Sequence, residues 1–267
     1  MKGSDLKSIV KEKYGKIALQ SESDQPVSCC GPSSSCCDTD YTIFSENYEG
    51  LQGYNPEADL GLGCGLPTEF AGLKSGQHVL DLGSGAGNDC FVARAIVGET
   101  GKVTGLDFSD EMLTKARRNA DKLGFTNVDF VHGDIEEMPF EDNQFDVIIS
   151  NCVLNLVPDK HRAFAEIMRV LKPGGHFCVS DVVIREGLPE KLREDAELYA
   201  GCVSGAISLE EYMDAVESSG FRDIQIHRQR RIELPENLLK SHFDEPELQD
   251  FLSGETGIFS VTVSAIK

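Results

Sequence analysis

Three glycines at alternate positions, Gly83, Gly85 and Gly87, follow the apolar run Val79-Leu80-Asp81-Leu82 and precede Asn88. The pattern reads as a strand breaking into a tight turn. Glycine there permits φ > 0 and lets a ligand approach within van der Waals distance, and a helix over residues 89–97 would aim its amide N–H groups at that ligand. G-x-G-x-G is not the dinucleotide fingerprint G-x-G-x-x-G. Asp81, two residues before the first glycine, would repel a pyrophosphate and attract an ammonium group. Because glycine turns of this kind can also serve packing alone, the residues around them have to decide the reading.

Cysteine is the second chemical signal. The chain of 267 residues has nine, an odd number that does not suit a simple disulfide framework. In a reducing compartment, cysteines beyond ordinary core use point to metal, metalloid or redox chemistry. Cys29, Cys30, Cys36 and Cys37 form two vicinal pairs in a serine-rich stretch that reads as a loop. Adjacent pairs fit structural zinc spacing poorly, so no bound metal is expected. Cys64 stands in the glycine-rich turn Gly61-Leu62-Gly63-Cys64-Gly65-Leu66-Pro67, Cys152 just after an apolar strand, and Cys202 between Gly201 and Val203. Taken singly, each is more readily core filler than ligand. Cys90 and Cys178 fall inside an expected helix and strand and are assigned to the core. His132 and His161 have no motif around them and read as surface or satisfied groups.

The elements that must position these residues alternate between strand and helix. Apolar spacing gives an amphipathic helix over residues 5–19, with Leu6, Ile9, Val10, Tyr14 and Ile17 on one face, too short to stand alone. After the strand at Val79, strands are expected at 102–107, 128–131, 145–150 and 176–180, and helices at 110–123 and 160–171, the last ending at Lys172-Pro173-Gly174-Gly175. A further helix is expected at 192–200, and Ser208 with Glu211 marks a capping box for one running to Ser219. Final strands are expected at 224–232 and 258–266, and the acidic stretch 235–257 carries little signal. This is an α/β chain with a doubly wound, mostly parallel seven-stranded sheet, an N-terminal helical extension and a C-terminal α+β addition. The divisions expected are 1–60, 61–200 and 201–267.

Composition narrows the partners. The net charge is −20 and the sequence pI is near 4.6, which points away from nucleic acid and anionic membrane. No apolar run approaches the ~18 residues of a membrane span, and Met1-Lys2-Gly3-Ser4-Asp5 lacks an apolar signal core, so a soluble cytoplasmic protein is expected.

In an open parallel sheet the ligand lies beyond the carboxyl ends of the strands, where strand order reverses. Gly83, Gly85 and Gly87, Asp107, Asp134 and Asn151 all follow expected strands and so share that rim. Acids after the first three strands would meet an amino-acid moiety, a ribose and an adenine amino group, the outline of S-adenosylmethionine. Residues 79–88, Leu106-Asp107-Phe108-Ser109-Asp110-Glu111-Met112-Leu113, Gly133-Asp134-Ile135 and Leu171-Lys172-Pro173-Gly174-Gly175 together resemble the Rossmann-like class I methyltransferases. The resemblance implies cofactor contacts at Asp81, Gly83, Gly85, Gly87, Asp107, Phe108, Asp134, Ile135 and Asn151.

A narrower resemblance lies on the cysteines. Gly63-Cys64-Gly65, Ser150-Asn151-Cys152-Val153-Leu154-Asn155-Leu156, Gly201-Cys202-Val203 and Val10-Lys11-Glu12-Lys13-Tyr14-Gly15 are similar to the arsenite methyltransferase family. That implies Cys64, Cys152 and Cys202 as As(III)-binding and catalytic thiols, conversion of arsenite to methylarsenite and dimethylarsenite in arsenic detoxification, a redox thiol among Cys29, Cys30, Cys36 and Cys37, and a thiol reductant such as thioredoxin or glutathione as partner. Leu62 stands where several members have an aromatic residue, and the N-terminal region has four cysteines instead of one. The chemistry is coherent: three thiolates hold soft As(III) as a pyramid whose lone pair points away from sulfur, and in-line attack on a sulfonium methyl needs no base. Two other readings stay open. One is a small-molecule C- or O-methyltransferase of the quinone-precursor type with incidental cysteines, and the other is a metalloid-binding module without turnover.

Overall fold

The computed structural model describes residues 3–20, 46–185, 205–234, 239–241, 243–253 and 256–267. Cys29, Cys30, Cys36, Cys37, Cys202 and the helix expected at 192–200 lie outside the described residues. The strands are β1 (His78–Leu82), β2 (Lys102–Asp107), β3 (Val128–His132), β4 (Phe145–Asn151), β5 (Leu171–Arg185), β6 (Arg222–Arg231) and β7 (Gly257–Ile266). They form one seven-stranded sheet in the order β3-β2-β1-β4-β5-β7-β6. The pairs from β3 through to β5 are parallel, and β7 runs antiparallel to both β5 and β6. Strand order reverses between β1 and β4, which places the topological switch point at the ends of those two strands. This is a doubly wound, Rossmann-like α/β sheet with β7 antiparallel to its neighbours.

Alternation along β1 explains how the sheet is covered. Leu80 and Leu82 join Phe145, Ile148, Phe164, Phe177 and Tyr212 on one face, whereas Val79 joins Phe91, Leu113, Val147 and Ile149 on the other. After α1 (Gly3–Gln20) and the short helix α2 (Pro67–Phe70), helices α3 (Asn88–Val97) and α4 (Asp110–Leu123) cover the second face; α5 (Lys160–Val170) and the helix Leu209–Ser218 cover the first. The apolar run Val147-Ile148-Ile149 of β4 is therefore buried on both sides, as a central parallel strand must be. Cys90 and Cys178, each fully buried, belong to the second face. Local signals also hold. Ser109 caps α4, Gly124 closes it in the left-handed region, and Ser208 and Glu211 form the reciprocal capping box.

Two element limits and one unexpected helix differ most from expectation. Helix α1 (Gly3–Gln20) packs on α4, its Gly15 lying against Glu111, with Val10 and Ala18 buried. Strand β5 begins at Leu171, not His176, because Leu171 already pairs with Phe145. The Pro-Gly-Gly segment is looped out as an irregularity before pairing resumes between His176 and Val147. The stretch thought to carry little signal contains the helix Glu245–Ser253, opened by a reciprocal Asp244 and Glu247 cap and anchored by Leu248 and Phe251. Among the described residues no helix is long and apolar enough to cross a membrane.

Candidate active site

The turn after β1 separates its three glycines by role. The amides of Gly83 and Ser84 donate to the Leu106 carbonyl, so the turn folds over the end of β2. A Cβ on Gly83, at φ +67, would stand 2.4 Å from Val153, and one on Gly87 would strike Phe91 and Phe130. Those two positions are glycine because chain and core press on them. A Cβ on Gly85, at φ +51, would meet nothing within 4 Å among the described residues, so that position opens onto the cleft. The Gly85 amide donates to Asp107 Oδ2 at 2.9 Å and the Ser109 amide to Oδ1 at 2.8 Å, fixing the carboxylate at the tip of β2.

The cleft is lined by Asp81, Gly83, Gly85, Asp89, Asp107, Phe108, Asn151 and Cys152 among others, at the switch point. Burial, and then the charges of Asp89 and Asp107, push the Asp81 carboxyl well up; the Cys90 thiol donates to it at 3.2 Å. Burial pushes Asp89 up to about 6 against bonds from Asn151 and Tyr48 that lower it. Two buried carboxylates with no counter-cation among the described residues mark a space suited to a positive group. Ser84 Oγ and Asn88 Oδ1, also at the cleft, are buried with no hydrogen-bond partner among the described residues.

Asn151, the last residue of β4, organises the neighbouring loop. Its Oδ1 accepts from the amides of Cys64 at 3.0 Å and Gly65 at 3.2 Å, and its Nδ2 donates to the Gly65 carbonyl at 2.8 Å. The Cys64 carbonyl accepts from Ser260 Oγ at 2.6 Å. The flanking glycines follow from this close approach, since a Cβ on Gly63 would lie 2.7 Å from Asn151 Nδ2 and one on Gly65 2.4 Å from Ser180 Oγ. Cys152 takes φ +60, uncommon for a non-glycine residue, while its amide donates to the Ser180 carbonyl at 2.7 Å. Cys64 and Cys152 are both buried and share an apolar cluster with Val182, Ile184, Ala206, Ile232 and Ile258. Beneath them Tyr212 donates to Asp181 at 3.2 Å. Burial, then Asp181, then both thiols push the Tyr212 phenol well up, and burial pushes Asp181 up to about 7.

The structure thus brings together Asp81, Gly83, Gly85, Asp107, Phe108, Asn151 and Cys152 along one cleft, with Cys64 buried behind Asn151. Gly87 is a packing glycine and does not line the cleft. Neither do Asp134, which accepts from Lys7 of α1 at 2.5 Å, and Ile135, which packs in the core. Asp89 and Tyr48 were missed. An acid in the first turn of a helix is expected on dipole grounds alone, which hid Asp89; Tyr48 has no motif around it. The histidines behave as anticipated: His132 bonds to the Phe108 carbonyl and His161 to Ser218 Oγ.

A methyltransferase-domain family matches residues 73–238. The crystal structure of an arsenic(III) S-adenosylmethionine methyltransferase from Chlamydomonas reinhardtii is similar at 33% identity, with a TM-score of 0.63, covering 88% of this chain and 75% of that one. The chain belongs to the arsenite methyltransferase family. The arsenite methyltransferase of Halobacterium salinarum is 40% identical over 237 residues, 83% of this chain and 59% of that protein. A ubiquinone/menaquinone biosynthesis C-methyltransferase of Psychromonas ingrahamii is 44% identical over 113 residues, only 42% of this chain. The chain spans about three-fifths of the length of the curated arsenite methyltransferases from archaeal and human sources. Within the arsenite methyltransferase family the cofactor is S-adenosylmethionine, and the cleft fits it: cation-seeking Asp81 and Asp89, unpartnered Ser84 and Asn88, and open space over Gly85.

Proposed function

We propose that this protein methylates trivalent arsenic held by Cys64, Cys152 and Cys202, with arsenite, then methylarsenite, as substrate and arsenic detoxification as the role. One observation carries the reading: Cys64 and Cys152, far apart in sequence, meet in a buried cluster at the switch point, and Cys152 also lines the cofactor cleft. When bound, S-adenosylmethionine supplies an electrophilic methyl group on a sulfonium.

The chain's own residues then do the rest. Asp81 and Asp89, which line the cleft, would hold the cationic amino-acid part of the cofactor, and Asp107 would accept from its ribose hydroxyls. The thiolates hold arsenic as substrate with its lone pair directed away from sulfur, and the apolar wall of Val182, Ile184 and Ile258 excludes water. The task is positioning, since attack by a lone pair needs no proton removed. Forming the As–C bond from the arsenic lone pair takes arsenic formally from +3 to +5, so a thiol reductant such as thioredoxin or glutathione supplies the two electrons that return the methylated product to the trivalent state, being oxidised to a disulfide, with Cys29, Cys30, Cys36 and Cys37 as candidates for the exchange.

The test is incubation of purified protein with S-adenosylmethionine, arsenite and glutathione, with methylated arsenic species separated and quantified. Methylarsenic products are expected. Methylation of a demethylated quinone with none of arsenite would replace this reading by the quinone one.

A further inference from the structure

We propose that Tyr48, Asp89 and Asn151 form a relay coupling the cofactor cleft to the placement of Cys64, so that cofactor and As(III) strengthen each other's binding. The inference rests on the arsenic reading above. Asp89 faces the cleft, and its two oxygens receive the Tyr48 hydroxyl at 3.0 Å each, while Oδ2 also receives Asn151 Nδ2 at 3.1 Å. Asn151 Nδ2 further reaches the Tyr48 oxygen at 2.6 Å and the Gly65 carbonyl at 2.8 Å.

Three acceptors therefore compete for the two hydrogens of one amide group. A cation placed against Asp89 occupies carboxylate lone pairs and weakens their draw on that amide. The hydrogen is released toward Gly65, and the turn around Cys64 tightens. Asn151 Oδ1 holds the Cys64 and Gly65 amides from the same side, so any shift of the amide plane moves the thiol-bearing turn as a unit. Tyr48 is 5% exposed and its hydroxyl joins both ends of the relay, accepting from Asn151 and donating to Asp89. It is a positioning residue, acting on arsenic only through Asn151.

Coupling of this kind is reciprocal by thermodynamic necessity. The experiment is calorimetric titration of arsenite with and without saturating S-adenosylhomocysteine, which carries the ammonium group but no transferable methyl, together with the converse titration. Wild type should show mutual tightening of about fivefold or more, equal in both directions. Tyr48→Phe should cut that factor below about twofold, a change that loss of packing alone would not produce. Asp89→Asn removes the charge while keeping the shape, and should do the same; it carries the test if the phenylalanine variant does not fold. Full coupling retained in a folded variant, or a wild type that binds both ligands independently, overturns the relay and leaves the proposed function standing. A wild type that binds S-adenosylhomocysteine but no arsenite overturns both.

Discussion

Gly65→Ala perturbs the thiol site through a single methyl group. A Cβ there would lie 2.4 Å from Ser180 Oγ and 2.5 Å from Ser180 Cβ, about 1 Å short of ordinary contact at 3.4 Å. Ser180 cannot yield: it is 1% exposed on β5, paired with β4 and β7, and its hydroxyl bonds to Thr262 at 2.9 Å. The displacement therefore falls on the turn carrying Cys64. Overpacking of this size costs about 1 to 3 kcal/mol, a fall in Tm of roughly 2 to 10 °C for a domain this large. A misplacement near 1 Å lowers a positioning-dependent rate by about 100-fold. Thermal unfolding and single-turnover methylation measure the two effects separately. Ser180→Gly in the same chain should restore much of the rate, whereas Ser180→Ala, which keeps the offending Cβ, should not. Wild-type turnover in Gly65→Ala, or equal rescue by both second substitutions, would refute the steric argument.

Three further outcomes follow from the geometry. Asp107→Ala leaves the Gly85 and Ser109 amides unpartnered and should weaken S-adenosylmethionine by about 1.5 to 3 kcal/mol, or roughly 10- to 150-fold in Kd by calorimetry. Asp89 is held up to about 6, so below that pH its carboxyl must lose a proton before meeting a cation. Cofactor affinity should fall as pH drops through 6, with proton release on binding, and Asp89→Asn should remove that part of the dependence. Ser208→Ala should lower stability by about 1 kcal/mol in denaturant titration, through loss of the capping box, with cofactor affinity unchanged.

Much of the fold was legible because its signals are local. Strand β4 carries the apolar run Val147-Ile148-Ile149, Ser109 and Gly124 bracket α4, and Ser208 with Glu211 marks the capped helix Leu209–Ser218, so those limits fell within a residue or two. The helix Glu245–Ser253 has the same capping spacing at Asp244 and Glu247, but it is short and acidic and buries Leu248 and Phe251, too brief an apolar stripe to set a period. The site was harder to read because it is assembled by contacts between distant segments. The sequence reading recognised a glycine turn with an acid before it, yet could not tell that Gly87 answers to Phe91 and Phe130 while Gly85 faces the cleft. Asp134 followed a strand as anticipated, but the approach of Lys7 from α1 engages its carboxylate, and no periodicity reports that long-range pairing. Asn151 stood in a recognised motif, and only the folded chain shows its amide holding both Cys64 and Asp89.

Under the proposed function Cys64 and Cys152, together with Cys202, hold the arsenic. The most direct measurement compares Cys64→Ser and Cys152→Ser on arsenite and on methylarsenite, with cofactor affinity measured alongside. A hydroxyl does not replace a soft thiolate, so Cys152→Ser should abolish methylation of both substrates while S-adenosylmethionine binds nearly as before. Cys64→Ser should lose arsenite but keep part of its activity on methylarsenite, which already carries one carbon and needs only two thiolates. Wild-type turnover of both substrates by a folded Cys152→Ser variant would contradict the account and leave only the methyltransferase fold.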